Sequence, residues 1–195
     1  MQERLQAKEA AILEAAKAVF TERGYHGTTV RAVAARGGVA TGTVYLYFPN
    51  KEALFLALMD RLTSLILEAI VSARFRETGV IAKLKASITA SMEVFARNRD
   101  LARIVLIQAA GAKPEFEERL AQVHASFAGF VEEDLREAGE EGLIPPIDAE
   151  IASLAWVGTF YEVIVSWLRE GKPAELEPVI PALVSYNMRA IGAEP

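Results

Sequence analysis

One short stretch of the chain, "GVATGTVYLYFPNKEAL" from Gly38 to Leu54, concentrates hydroxyl, phenol and ammonium groups. Two threonines, two tyrosines and a lysine lie there within eleven residues, whereas the rest of the chain is rich in Ala, Leu, Glu and Arg. These groups donate hydrogen bonds and one of them is positively charged, so they suit an anionic surface with many acceptors. Gly42 in their midst lets such a surface approach the backbone closely.

Residues for covalent or metal-assisted catalysis are scarce. The 195-residue chain has two histidines and no cysteine, which excludes disulfides and thiolate metal sites. It contains no HExxH motif, no phosphate-binding P-loop and no Rossmann glycine pattern. We therefore expect that the protein is not an enzyme and has no metal or cofactor.

The composition is that of a folded protein, and its N-terminal segment carries a small net positive charge. Hydrophobic residues make up 52% of the chain and the net charge is −5. Residues 1–52 carry seven basic and five acidic residues, whereas residues 53–195 carry 14 basic and 21 acidic ones. The uncharged run at 151–161 is about half of the roughly 20 residues that a membrane span needs. We expect a soluble cytoplasmic protein with no membrane partner.

Helical periodicity extends over nearly the whole chain, without the alternation of strands, so the sequence predicts an all-α fold of about nine helices. Thr28, Asn50 and Asp148 are expected N-caps, and Gly24 and the pair Gly37-Gly38 are expected helix ends. The predicted helices are 7–23, 25–37, 39–48, 50–75, 80–97, 100–110, 114–138, 148–170 and 175–191.

The second and third predicted helices are short and joined by a glycine turn, as in a helix-turn-helix, whose second helix enters the major groove of DNA. The residues "GYHGTTVRAVAARGGVATGTVYLYFPNKEALF" resemble the N-terminal domain of the TetR family of transcriptional repressors. The Thr-Thr pair, the Gly-Val before the third helix, the Gly-Thr-Val-Tyr-x-Tyr-Phe run and the Asn-Lys-Glu triplet carry this resemblance. It predicts a DNA-binding domain over 1–52 and a ligand-binding and dimerisation domain over 53–195.

The resemblance and the donor chemistry together assign the DNA contacts. Base reading falls to the start of the third helix, helped by Arg31, and phosphate binding to the starts of the second and fourth helices and to the tyrosines. Val39, Val44 and Phe48 should pack inward. The expected DNA-binding residues are Thr28, Thr29, Arg31, Thr41, Gly42, Thr43, Tyr45, Tyr47 and Lys51.

Three of these assignments have structural alternatives. Ala40 stands where the family often has a capping Ser, and Ala is a poor cap, so Thr41 is a candidate cap as well as a base reader. Tyr45 is a candidate core residue, and Thr28 could serve only as a cap.

The resemblance also implies that the middle helices hold a small-molecule effector. Each apolar candidate could instead be an ordinary core residue. Phe116, Leu120 and the polar His124 are further candidates. The assigned ligand-binding residues are Met92, Phe95, Arg99, Arg103, Ile104, Ile107, Gln108, Phe127, Phe130, Trp156 and Phe160.

Two effector classes fit these residues. The run "RNRDLAR" clusters Arg97, Arg99 and Arg103 either as a solvated corner with Asp100 or as a phosphate dock. Such a phosphate-binding site suits an acyl-coenzyme A. The chain also resembles the TetR-type repressors of fatty-acid degradation, which long-chain acyl-CoA releases, in the segments "GVATGTVYLYFPNKEALF", "LARIVLIQAAGAKPEFEERL" and "GTFYEVIVSWL". The rival is an efflux-pump repressor that senses apolar drugs.

The apolar pattern of the last two predicted helices indicates a dimer. Apolar residues cover almost the whole circumference of 151–168, so a two-fold partner is expected there, with a central helix of a monomer as the alternative. The predicted partners are therefore double-stranded operator DNA, a second copy of the chain and an apolar or acyl-CoA effector. A helical protein-interaction adaptor is the alternative of another class.

Overall fold

A computed structural model describes residues 2–193, with side chains from residue 5 onwards. Over this range the chain forms nine α-helices, one π-helical turn (Ile104–Gln108) and one 3₁₀ turn (Glu177–Val179), and no strand, which confirms the all-α prediction. The helices are α1 Gln2–Gly27, α2 Val30–Arg36, α3 Thr41–Tyr45, α4 Lys51–Arg74, α5 Val80–Arg97, α6 Arg99–Arg103, α7 Pro114–Glu140, α8 Ala149–Glu170 and α9 Ile180–Ala190.

Two of the three expected caps are confirmed. The Asn50 side chain accepts a hydrogen bond from the backbone N–H of Ala53 at 2.8 Å, and Asp148 accepts one from Ile151 at 3.2 Å. The third was wrong by one residue, because Thr29 caps α2 by accepting from the backbone N–H of Ala32.

The ends of the helices differ from the prediction where the backbone is unusual. Gly24 adopts φ 67° and kinks α1, which continues to Gly27. The predicted helix 100–110 is α-helical only to Arg103 and then widens into the π-helical turn. The predicted helix 175–191 becomes α-helical only at Ile180, because Pro181 inside a longer helix would lack an N–H and clash with the preceding turn.

Two compact units divide the chain. The first unit runs to Thr63 and also contains Asp100–Glu117, while the second unit contains Ser64–Arg99 and the chain from Glu118 onwards. α4 therefore begins in the first unit and ends in the second. A boundary between independently folding domains at residue 52 stays a prediction.

The core of each unit is made of large side chains that are almost fully buried. Burial of one such side chain stabilises the fold by roughly 1.5–3 kcal/mol. In the first unit these residues include Ile12, Phe20, Leu54, Phe55, Met59, Ile104 and Phe116. In the second unit they include Leu84, Met92, Leu135, Leu168 and Leu176.

A charged clamp lies inside the second unit. The Arg74 guanidinium binds the Asp134 carboxylate with two nitrogens, one of them at 2.8 Å, and also donates to the Ser87 hydroxyl at 3.3 Å. The Asp134 side chain is buried, and the pair raises the pKa of Arg74 because Asp134 accepts its hydrogen bonds. The clamp thus ties α4, α5 and α7 together.

One helix among the described residues, Ala149–Glu170, is long and apolar enough to span a membrane by length and composition. Within its most apolar window 33% of the residues are buried in this chain.

Candidate nucleic-acid interface and effector region

The turn between α2 and α3 is built from two glycines. Gly37 ends α2, and Gly38 takes φ 63°, a left-handed conformation that favours glycine. The backbone N–H of Val39 then returns to the carbonyl of Ala34 at 3.0 Å. This closed turn fixes the direction in which α3 leaves α2, as a helix-turn-helix requires.

The burial of the apolar residues in and around α3 shows which side of this helix packs on the core. Val44 and Phe48 are buried as predicted, while Val39 is only half-buried. Thr41 and Thr43 of the same helix are half-buried, and their hydroxyls make no hydrogen bond to the described residues. Their donors and acceptors are therefore available to a partner from outside.

Ala40 is the N-cap of α3 and its side chain makes no capping bond. Thr41 is the first residue of the helix and is not its cap, so the capping alternative for Thr41 was wrong. Gly42 is exposed, and a Cβ atom added there would meet nothing within 4 Å. Nothing in the fold of the chain itself requires a glycine at this position.

The aromatic end of the helix is exposed to different degrees. Tyr45 is exposed, so it is not a core residue, and Tyr47 is half-buried. Leu46 between them is 83% exposed, and sequence reasoning missed it. The run "YLYF" was the available signal, because only two of its four residues can face the core of a short helix.

Thr28 and Thr29 have different environments. Thr28 is only 2% exposed and its hydroxyl donates to the carbonyl of Gly24 at 2.8 Å. The assignment of the Thr28 side chain to a DNA-facing surface is therefore corrected: it secures the kink at the end of α1. Thr29 is exposed and remains on the surface.

An arginine-lined groove of about 460 Å³ lies between α1 and α2. Arg36 in this groove is paired with Glu22, whereas Arg23 and Arg31 have no ion pair or hydrogen bond with the described residues. Sequence reasoning found Arg31 and missed Arg23, because only the packing of α2 on α1 brings them together. The groove is lined by Val19, Arg23, Thr29, Arg31, Ala32, Ala35 and Arg36.

Lys51 at the start of α4 is held by Tyr25. Its ammonium donates to the backbone carbonyl of Tyr25 at 3.0 Å and lies 4.3 Å from the centre of the Tyr25 ring. The Tyr25 hydroxyl donates to the Glu52 carboxylate at 3.1 Å. Burial, with the hydrogen bond to Glu52, raises the pKa of Tyr25 to about 12. A hydrogen bond from Lys113 lowers the pKa of Glu52.

The expected effector residues fall into both units. In the first unit, Ile104 is fully buried, Ile107 is half-buried and Arg103 is exposed. The Gln108 amide nitrogen donates to the carbonyl of Phe20 at 3.1 Å, and the Gln108 amide oxygen is buried with no hydrogen-bond partner in the described part of the chain. Phe116, weighed as a pocket residue, stacks on Phe55 in the core instead, at 4.4 Å.

In the second unit the expected effector residues cover the range from core to surface. Met92 and Trp156 are buried, Phe95, Phe127 and Phe160 are half-buried, and Phe130 is 55% exposed. Trp156 and Phe160 meet edge to face at 6.3 Å.

Arg99 in the second unit is exposed, and its guanidinium contacts Trp167. Its guanidinium lies 4.7 Å from the ring centre of Trp167 and 3.5 Å from the Trp167 carbonyl oxygen. The indole N–H of Trp167 is buried and has no hydrogen-bond partner among the residues that the structure describes. Arg97 is paired with Glu93 at 2.7 Å.

His124 meets Tyr161 edge to face at 4.7 Å between ring centres. Burial lowers the pKa of His124, so the ring stays neutral at neutral pH. In the part of the chain that the structure describes, no group of three or more His, Cys, Asp or Glu residues is arranged to hold a metal ion.

The last two helices keep apolar residues on the surface of this single chain. Ile151 and Leu154 on α8 and Tyr186 on α9 are more than half exposed. Another side of α8 packs inside this chain, because Trp156, Ile164 and Trp167 are buried within the second unit.

Two family models match this sequence. The model for bacterial regulatory proteins of the tetR family matches residues 12–58, and the model for the tetracyclin repressor-like C-terminal domain matches residues 77–191. The second match alone covers more than half of the chain.

Known proteins resemble the whole chain. The fatty acid metabolism regulator protein of Bacillus subtilis is 25% identical over 85% of this chain and 86% of its own. FadR of Bacillus halodurans, a fatty acid degradation regulator, has a structure with a TM-score of 0.84 and 26% identity, covering 96% of this chain and 97% of that one. FadR of Bacillus subtilis in complex with stearoyl-CoA has a TM-score of 0.82 over 95% and 99% of the two chains, and its 22% identity supports the fold.

These matches confirm the family that the helix-turn-helix motif suggested, and with it the prediction that the protein is not an enzyme. The chain belongs to the TetR family of bacterial regulatory proteins and is a DNA-binding transcriptional regulator of the kind that binds operators and dimerises.

Proposed function

We propose that this protein is a cytoplasmic repressor that binds a palindromic operator as a homodimer and is released by long-chain acyl-CoA. It would thereby control genes of fatty-acid metabolism. The observation that carries the DNA-binding half is the face of α3, where two threonine hydroxyls without internal partners flank an exposed glycine.

The proposed DNA contacts divide into base readers and phosphate binders. Thr41, Gly42 and Thr43 would meet base edges in the major groove. Tyr45, Tyr47, Thr29 and Lys51 would contact phosphates at its border. Arg31 would help to read the bases, and Arg23, which lines the same groove, would add a phosphate contact.

The proposed dimer uses α8 and α9. Ile151, Leu154 and Tyr186 are exposed on these helices, and apolar side chains at helical spacing suit a two-fold helical interface. A dimer of this kind must place its two α3 helices about 34 Å apart to reach successive major grooves.

The proposal of an acyl-CoA effector rests on the relatives. Two proteins of 25% and 26% identity are named as regulators of fatty acid metabolism or degradation. In the second unit, an acyl-CoA offers an apolar chain for residues such as Phe127 and Phe160, and phosphates for Arg99. An effector that favours another spacing of the α3 helices weakens operator binding by linkage.

Two measurements test these halves separately. Operator affinity measured against salt should fall with a log–log slope of about 0.9 for each phosphate contacted. DNA binding that is absent or independent of salt would contradict the repressor. Native mass spectrometry of the purified protein should reveal an acyl-CoA mass, and the added acyl-CoA should weaken operator binding. A bound apolar compound without phosphate would indicate the drug-sensing class instead.

A further inference from the structure

The segment Asp100–Glu117 belongs to different regions by sequence and by packing. The model of the C-terminal domain covers it, because that match runs from 77 to 191. In the structure it lies in the first unit, which also contains the helix-turn-helix. Lys113 and Phe116 of this segment contact residues at the ends of α1 and α4. The segment is therefore placed to act on the start of α4.

The first contact in this arrangement joins Lys113 to Glu52. The Lys113 ammonium lies 2.6 Å from the Oε1 atom of Glu52, and the same oxygen accepts the hydroxyl of Tyr25 at 3.1 Å. Glu52 is about one-quarter exposed and Lys113 less than half exposed, so the pair is only partly screened by water. One carboxylate oxygen of Glu52 thus links Lys113, in the segment Asp100–Glu117, to Tyr25.

Tyr25 is held firmly from its other sides. Its ring meets Phe55 at 5.3 Å and Phe116 at 5.1 Å, both edge to face, and only 4% of the residue is exposed. A ring packed in this way has little rotational freedom. The hydrogen bond to Glu52 fixes the remaining polar end.

Lys51 takes its position from Tyr25 in two ways. The carbonyl of Tyr25 accepts one of the three ammonium protons of Lys51, and the face of the ring attracts the same charge. Two ammonium protons remain for a partner outside the chain. The lysine is therefore oriented before it meets a phosphate, which reduces the side-chain entropy lost on binding.

We propose that Lys113, Glu52 and Tyr25 are positioning residues for DNA binding, and that they act by holding the Lys51 ammonium where it meets an operator phosphate. This inference rests on the proposed phosphate contact of Lys51. The segment Asp100–Glu117 would thereby act on one DNA contact indirectly, through the side chains of Lys113, Glu52, Tyr25 and Lys51.

A double-mutant cycle on the full-length protein tests the proposal. Operator affinity is measured by fluorescence anisotropy at one salt concentration for the wild type, Lys113→Met, Lys51→Ala and the double variant. Lys113→Met should weaken binding roughly threefold to tenfold in the wild type and have almost no effect in the Lys51→Ala background, since coupled residues are not additive. Lys113→Arg should restore most of the affinity.

Matched variants separate positioning from folding. Lys172→Met makes the same change at an exposed lysine of the second unit and should leave affinity unchanged. Tyr25→Phe keeps the ring and the carbonyl but removes the hydroxyl, so it should weaken binding in the same direction and by less than Lys113→Met. Thermal unfolding and titration of the active fraction show whether each variant is folded.

Three results would overturn the inference. The first is a loss on Lys113→Met of equal size in both backgrounds, because the lysine would then act independently of Lys51. The second is an unchanged affinity for Lys113→Met. The third is an unchanged affinity for Lys51→Ala while the wild type binds operator, which would leave the proposed repressor standing. Failure of the wild type to bind any operator would instead contradict the proposed function itself.

Discussion

The polar groups of α3 and those in the interior of the second unit differ in whether they have hydrogen-bond partners within the chain. In the second unit, Arg74 and Asp134 satisfy each other, and the Thr159 hydroxyl donates to Asn187 at 3.0 Å. On α3, the hydroxyls of Thr41 and Thr43 have no partner among the described residues. The difference teaches that polar atoms in the second unit mostly hold the fold, whereas the hydroxyls of Thr41 and Thr43 do not contribute to it and suit the proposed DNA contacts.

Breaking the Arg74–Asp134 clamp should give the largest effect on stability. Asp134→Asn removes the charge that compensates Arg74, at a cost of roughly 2–3 kcal/mol, less than for a fully buried pair because Arg74 is partly exposed. Urea unfolding at a fixed protein concentration measures this loss. The folded fraction should still bind operator with wild-type affinity; a specific loss of DNA binding would contradict a purely structural role for the clamp.

A pair of threonine variants tests the contrast directly. Thr43→Val should change the preference among operator variants by about 1–3 kcal/mol, with the free energy of unfolding nearly unchanged, because the Thr43 hydroxyl has no partner among the described residues. Thr28→Val should do the reverse and cost about 1 kcal/mol of stability, because it removes the buried hydrogen bond to the carbonyl of Gly24. Equal losses of Thr43→Val on every operator variant would remove Thr43 from the base readers.

The arginine groove offers a second matched pair. Arg23→Ala should weaken binding to all DNA sequences to a similar extent and lower the salt slope by about 1, as the loss of one phosphate contact predicts. Arg36→Ala should change both quantities less, because Arg36 is already paired with Glu22. If the two variants behave alike, the difference in internal pairing does not determine which arginine binds DNA.

The smallest predicted effect concerns His124 in the second unit. Its pKa in the folded chain is lowered by burial, so the unfolded chain binds more protons below about pH 6.5. The stability that the neutral ring contributes is therefore present above that pH and is lost as the pH falls through the folded pKa. Unfolding at pH 7.5 and pH 5.5 should show a smaller loss for His124→Gln than for the wild type.

His26→Gln makes the same substitution at an exposed histidine, at the end of α1, and is the matched control for the loss of a histidine side chain. A pH dependence that His124→Gln leaves intact would show that other groups cause it.

Features set by neighbouring residues could be predicted from the sequence. Asn50 and Asp148 cap their helices as expected, because capping depends on a side chain and a backbone N–H three residues later. Thr28 and Thr29 both fit the capping pattern, and burial of Thr28 against α1 decided between them. The inward residues Val44 and Phe48 followed from helical periodicity in the same way.

Features made by distant parts of the chain could not be predicted. Phe116 belongs to the core of the first unit, which no local pattern shows, because a buried phenylalanine has the same sequence signal in a pocket and in a core. The groove of Arg23 and the ion pair of Lys113 likewise depend on packing between separate helices.

Gly42 has a consequence for altering which operator the protein reads. Because a Cβ atom there would meet open space, a larger side chain can be introduced without repacking the chain, and in a helix it lowers the entropy cost of a glycine by roughly 0.5–1 kcal/mol. The position is therefore a natural first site for a retargeting library. With α3 reading the operator as proposed, variants selected there would acquire new base contacts while the second unit keeps its sequence.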